Sequence, residues 1–76
     1  MNQINPDSPE TIARQIERIV RNRIASGVYS RRIPTVQRLA AEFDVSPGTV
    51  RAALTPLAEK GMIVRIVGSG TFVKTD

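Results

Sequence analysis

Ile12, Ile16, Ile19, Val20 and Ile24 recur along the first third of the chain at spacings of 4, 3, 1 and 4, the apolar stripe of an amphipathic helix. Ahead of the stripe, Ser8-Pro9-Glu10 supplies a capping hydroxyl, a proline suited to the first helical position and an acid facing the helix dipole. Gly27 follows as the residue just past the C-cap. The pattern predicts a helix over 8–26. The opposite face carries Arg14, Arg18 and Arg21, with Glu10 and Glu17 spaced to pair with some of them, and reads as solvated surface. Residues 1–7 are polar, carry Pro6, and read as a flexible N-terminal segment.

Two shorter helices follow. Thr35 after Pro34 is a suitable N-cap, and Val36, Leu39, Ala40 and Phe43 mark one buried face, which predicts a helix over 35–43. Ser46-Pro47 repeats the cap-then-proline pattern and opens a third helix over 46–60, with Val50, Leu54 and Leu57 as its stripe and Gly61 at its end. Two short helices around so tight a turn have the spacing of a helix-turn-helix. Pro56 lies inside the third helix, where a proline costs about 3 kcal/mol. The sequence allows a bend between Ala52 and Pro56 or a helix that ends before Pro56.

Beyond Gly61 the period changes. Residues 62–67 are rich in β-branched side chains and 71–74 form a second short strand. Gly68-Ser69-Gly70 joins them, with glycines where a hairpin needs positive φ. The order is three helices and an antiparallel hairpin. Residues 8–76 are therefore expected to form one domain, mainly α with a small β-hairpin, of the winged helix-turn-helix class.

Composition narrows the function. The chain has 76 residues, 41% of them apolar, and neither Cys nor His. Disulfides, thiolate metal sites and the commonest metal ligand and general base are thereby removed, and neither a metal nor a cofactor is expected. No phosphate-cradling loop and no serine with a partner base is found, so an enzyme is not expected. No apolar run approaches the ~18 residues of a membrane span and no signal peptide opens the chain, so the expected location is the cytoplasm, at the nucleoid. Eleven Lys and Arg against seven Asp and Glu give a net charge of +4, which suits a nucleic-acid partner. Single-strand or RNA binding is disfavoured by an aromatic content of 4%, too low for a stacking platform. The rival is a winged helix used for protein contacts. It predicts an exposed apolar patch, whereas the outward positions of the third helix are small and polar.

The residues themselves resemble a family. Leu39-Ala40-Ala41-Glu42-Phe43-Asp44-Val45-Ser46, then Thr49-Val50-Arg51-Ala52-Ala53-Leu54, then Leu57 and Gly61 resemble the helix-turn-helix of GntR-type bacterial regulators. Gly68-Ser69-Gly70-Thr71-Phe72-Val73 resembles their wing motif, and Ile16 to Gly27 their first helix. The resemblance spans roughly 11–74. It implies double-stranded DNA as the partner, with the helix from Ser46 in the major groove and the wing tip Gly68–Gly70 at the minor groove. By the same likeness Ser46, Thr49 and Arg51 contact phosphates or base edges. Thr35 falls on a serine that caps the second helix and touches phosphate, and the cap alone also accounts for it.

Departures from the family pattern shift the expected contacts. The Pro-Gly of the loop before the second helix is missing, and Val28 to Ile33 is about two residues short. Gln37, Pro47 and Ser69 stand where many members carry a basic residue. Arg31, Arg32 and Arg38 are therefore the candidates for the missing phosphate contacts. The expected DNA-binding residues are Arg31, Arg32, Thr35, Gln37, Arg38, Ser46, Pro47, Gly48, Thr49, Arg51, Gly68, Ser69, Gly70 and Thr71. The likeness further implies a homodimeric regulator, in the commoner family role a repressor. Its small-molecule effector would bind a C-terminal domain beyond Asp76, so that the chain is a fragment or a free-standing domain.

Overall fold

The computed structural model describes residues 4–5, 7, 10–66 and 68–74. Three helices are followed by a two-stranded hairpin: α1 (Ile12–Ala25), α2 (Val36–Phe43), α3 (Pro47–Glu59), β1 (Ile63–Ile66) and β2 (Gly70–Val73). The mainly α winged helix-turn-helix expected from the sequence is the observed architecture. α3 packs against both α1 and α2, and the core forms where they meet, from Ile16, Ile19 and Val20 of α1, Leu39 and Phe43 of α2, and Val50, Leu54 and Leu57 of α3. Ile63 at the root of the wing and Ile33 ahead of α2 complete it.

α1 begins at Ile12, the first residue of the stripe, and later than Ser8-Pro9-Glu10 suggested. Thr11 is its N-cap, with Oγ1 accepting from the Arg14 N–H at 3.2 Å. Ser8 and Pro9, read as cap and first helical residue, lie outside the described residues, and Glu10 stands before the helix. Its carboxylate pairs with Arg18 at 2.9 Å, and that hydrogen bond holds it below the usual carboxylate range. The helix start is set by a polar residue inside the core. Gln15 is only 1% exposed. Its side chain accepts from the Asn5 N–H (2.7 Å) and donates to the Asn5 and Glu10 carbonyls (2.9 and 3.0 Å). A buried amide must find such partners, and it finds them by tying the preceding chain back onto α1. Within the segment 1–7, expected to be flexible, Asn5 is held in this way.

The helix-turn-helix is compact because both of its caps are local. α2 ends on Asp44, which is left-handed at φ 56°, and the N–H of Val45 reaches back to the Ala40 carbonyl at 3.0 Å. After Val45, Ser46 caps α3 by accepting from the Thr49 N–H at 3.2 Å, and Pro47 takes the first helical position. An aspartate in the left-handed region carries a penalty of about 1–2 kcal/mol that glycine lacks, set against about 0.4–1 kcal/mol of extra unfolded-chain entropy for glycine. Asp44→Gly is therefore expected to raise stability by about 0.5–1 kcal/mol, read as a higher urea midpoint with unchanged slope. A lower midpoint would show that the aspartate side chain itself holds the turn.

α3 runs through Pro56 to Glu59, so the helix does not end before the proline. The ring removes the N–H that would serve the Ala52 carbonyl. Ala52 is on the exposed side, where water can take that place. Gly61 then turns left-handed at φ 76° and the Met62 N–H returns to the Leu57 carbonyl at 2.9 Å, closing the helix and launching β1.

The wing is an antiparallel hairpin in the register Ile63↔Val73, Val64↔Phe72, Arg65↔Thr71 and Ile66↔Gly70. The strands are a little shorter than 62–67 and 71–74, and Val67 lies outside the described residues. On its other edge β2 is met by the segment before α2. Ile33 N–H donates to the Thr71 carbonyl (3.1 Å), Val73 N–H donates to the Arg31 carbonyl (2.8 Å), and Arg32 stands opposite Phe72 in an isolated bridge. What the sequence showed only as a shortened loop thus acts as a third strand that seats the wing on the helices.

Candidate nucleic-acid interface

A groove of about 440 Å³ runs between the start of α2, the flank of α3 and the wing. Arg32, Arg38, Arg51 and Arg65 line it, together with Thr35, Gln37, Ser69, Gly70 and Thr71, and among the described residues no carboxylate does. Three acids are paired away from it: Glu10 with Arg18, Glu17 with Arg21 and Lys60, and Glu42 with Arg23. Among the described residues Arg38, Arg51 and Arg65 are exposed and in no ion pair. Unneutralised guanidinium groups facing one concavity from three separate elements create a positive field there.

Each wall has a local cause. Thr35 caps α2, its hydroxyl oxygen accepting from the Arg38 N–H at 3.1 Å. This uses the acceptor side and leaves the O–H proton free to donate into the groove. The same cap starts α2 at Val36 and thereby projects Gln37 and Arg38 from its first turn. On α3, the Ser46 hydroxyl meets both the Thr49 N–H and the Thr49 hydroxyl, the latter at 3.0 Å. Pro47 has no N–H, so Gly48 holds the one first-turn donor of α3 without a partner among the described residues. Ser46, Pro47 and Gly48 are exposed and Thr49 is partly so. They form the free tip of α3, and Arg51 lies one turn on, at the groove wall.

The structure brings eight of the fourteen expected residues to this groove: Arg32, Thr35, Gln37, Arg38, Arg51, Ser69, Gly70 and Thr71. Ser46 to Thr49 stand at the helix tip beside it, and Gly68 lies at the wing tip, left-handed at φ 82°. Arg31 is placed elsewhere, on a surface with Ser30, Phe72 and Val73. Its backbone carbonyl is committed to Val73. Arg65 was missed from the sequence. The signal was available: a hairpin closing on Gly68-Ser69-Gly70 with Ile66 opposite Gly70 puts Arg65 opposite Thr71 and on the same face.

Arg23 ties α2 to α1. This α1 side chain forms an ion pair with Glu42 of α2 at 2.6 Å, donates to the Tyr29 hydroxyl at 2.6 Å, and lies 5.4 Å above the centre of the Phe43 ring. The hydrogen bond to Glu42 raises its pKa above the ordinary arginine value. A charge so engaged is structural and unavailable to a ligand.

A helix-turn-helix with an exposed α3 tip, flanked by an arginine-lined groove and a glycine-tipped hairpin, defines a DNA-binding domain of the winged helix class. Residues 12–73 match the bacterial regulatory proteins of the gntR family, and the chain belongs to that family. It is 38% identical over 74 residues to the uncharacterized HTH-type transcriptional regulator YurK of Bacillus subtilis, covering 95% of this chain and 31% of that protein. It is 35% identical over 68 residues to the histidine utilization repressor of Klebsiella aerogenes, covering 87% and 28% respectively. The chain thus spans less than a third of the length of these relatives. Among solved structures, the AraR DNA-binding domain in complex with operator ORE1 superposes with a TM-score of 0.83 at 26% identity, over 97% of this chain and 93% of that one.

Proposed function

We propose that the chain is the operator-reading domain of a longer GntR-type transcriptional repressor. The groove lined by four arginines, with no carboxylate among the described residues, carries this reading. The α3 tip from Ser46 enters the major groove, where base edges present a readable pattern of donors and acceptors. Arg51 follows it in. Thr35, Gln37 and Arg38 at the start of α2 reach the flanking phosphates, and Gly68 to Thr71 bring the wing tip to the minor groove. Arg65 joins Arg38 and Arg51 in the phosphate term, and Arg31, which stands off the groove, is left out of it. That the AraR domain, so similar in fold, is seen on operator DNA supports the assignment. In the whole regulator two such domains would pair as a homodimer on a two-fold site, and a small-molecule effector would act through a domain outside this chain. The protein would work at the nucleoid. Among the described residues no helix is long and apolar enough to cross a membrane.

A protein-contact role has less to stand on. Among the described residues the large exposed hydrophobics are Ile12, Val28, Val64 and Ile66, of which Val64 and Ile66 stand two apart on β1. An NMR shift titration with a short duplex carrying a two-fold site, run at two salt concentrations, tests the assignment. Amides of Thr35, Ser46 to Arg51, Arg65 and Gly68 to Thr71 are expected to move together, with affinity falling steeply as salt rises. Shifts confined to the α1 surface would remove the DNA assignment.

A further inference from the structure

The wing is seated on the helices at its base, through Ile63 and the pairing of residues 31–33 with β2, and its tip reaches out from there. In β1 only Ile63 is buried, Val64, Arg65 and Ile66 being exposed, and the backbone pairing of residues 31–33 with β2 stops at Thr71, short of the tip. Arg32 supplies the missing support. Its Nη2 donates to the Ser69 carbonyl at the tip, and its guanidinium carbon lies 5.0 Å from the centre of the Phe72 ring. A Cβ on Gly70 would stand 3.5 Å from both Nε and Nη2 of Arg32, so the guanidinium lies directly against the backbone of β2 where a side chain would otherwise project. The bridge between Arg32 and Phe72 places the arginine's Cα within the sheet. One residue thus ties the sheet edge, the ring and the hairpin tip together.

We propose that Arg32 is a positioning residue that clips the wing tip in the free protein, setting the height and angle at which Gly68 to Thr71 are presented. Its place in DNA recognition, which rests on the proposed operator reading, is to hold the wing ready in advance; the phosphate-facing charge belongs to Arg38, Arg51 and Arg65. Arginine suits the task because a planar guanidinium lies on an aromatic face while its edge donates to a carbonyl. An ammonium keeps the charge and loses the plane.

The test is made first without DNA. Amide hydrogen exchange at Ser69, whose N–H donates to the Ile66 carbonyl at 3.0 Å, reports whether the tip is closed. In Arg32→Ala it is expected to quicken about 30-fold or more, the combined loss of one exposed cation–π contact and one charge-assisted hydrogen bond. In Arg32→Lys it is expected to quicken several-fold, although the charge is retained. Arg38→Ala is the control and leaves Ser69 as in the wild type. On duplex DNA, Arg32→Lys is expected to bind several-fold more weakly with the wild-type salt slope. Unchanged exchange at Ser69 in Arg32→Ala overturns the clip, as does a lysine variant that matches the wild type in both exchange and affinity. Failure of the wild type itself to bind duplex would strike the operator reading alone, because the exchange result needs no DNA.

Discussion

Arg38→Ala, Arg51→Ala and Arg65→Ala, combined in one variant, are expected to weaken duplex binding at least 100-fold, by an order-of-magnitude estimate, at 0.15 M salt, while the fold survives. An arginine on a base edge or phosphate is worth about 1–3 kcal/mol, and about 1.4 kcal/mol is a tenfold change. Even at the low end, three such groups give roughly two decades. The salt dependence makes the claim sharper than the affinity. Each neutralised phosphate adds about 0.9 to the slope of log K against log salt, so a variant losing three should show a slope smaller by about 2.7. Stability should scarcely move. All three side chains are exposed and outside the ion-pair network, and changes at such surface positions usually fall within about 0.5 kcal/mol each. Titration of wild type and variant on one duplex at three salt concentrations, with a thermal melt of each, decides it. A variant that binds like the wild type would mean that this groove is not the DNA-facing surface.

The contrast with Arg23 shows why charge alone is a poor guide to the interface. Eleven basic residues are visible in the sequence, and nothing in their spacing tells which are free. Arg23 is tied to Glu42 and Tyr29, Arg18 to Glu10, and Arg21 and Lys60 to Glu17. Once these are set aside, Arg38, Arg51 and Arg65 stand out because they share one groove. Arg51 was legible from the family motif and Arg38 from its position on α2. Arg65 lies in a strand that reads only as β-branched, and Arg31, grouped with Arg32 and Arg38 by sequence, lines a different surface.

The same division runs through the fold. Features fixed by the nearest few residues were legible: the Ser46-Pro47 start of α3, the Gly61 stop, the glycines at the wing tip, the stripe of Ile16, Ile19 and Val20. Local chemistry writes these, because a cap or a positive φ is satisfied within one turn. Features that depend on distant partners were not. The α1 start was read at Ser8 because a serine before a proline is a good cap, yet Thr11 holds that role and Gln15 anchors the chain ahead of it. A glutamine one place before Ile16 breaks no helical pattern and gives no sign that it is buried. The pairing of Arg31 to Ile33 with β2 joins segments about forty residues apart, with no alternation to betray a strand. Pro56 was open for a related reason: the penalty for a proline in a helix is known, but whether the core repays it depends on what Leu54 and Leu57 meet on the other side. Both are buried, and the helix continues.

Phe43→Ala is expected to be the most damaging single change to the fold. Phe43 is the largest of the fully buried side chains, 1% exposed, and it occupies the last turn of α2, immediately before the turn that orients α3. Removing a buried phenylalanine costs about 3–5 kcal/mol in lost transfer free energy and residual cavity. A domain of this size has about 4–11 kcal/mol in all, at roughly 0.05–0.15 kcal/mol per residue. The loss is also not confined to the ring, since Arg23 sits above it and would face a void beside its bond to Glu42. With about 4–8 °C of melting temperature per kcal/mol for a small domain, the midpoint should fall by on the order of 12–40 °C. Phe43→Leu, which keeps most of the apolar volume, should recover the greater part. DNA binding should follow stability in this pair: restored in the leucine variant, and in the alanine variant lost in step with the unfolded fraction read by circular dichroism. That separates it from the triple arginine variant, which is expected to remain folded and fail to bind. A Phe43→Ala protein melting within 5 °C (about 1 kcal/mol) of the wild type would mean that α2 and α3 are held together by the turn and the Arg23–Glu42 pair, with the ring contributing little.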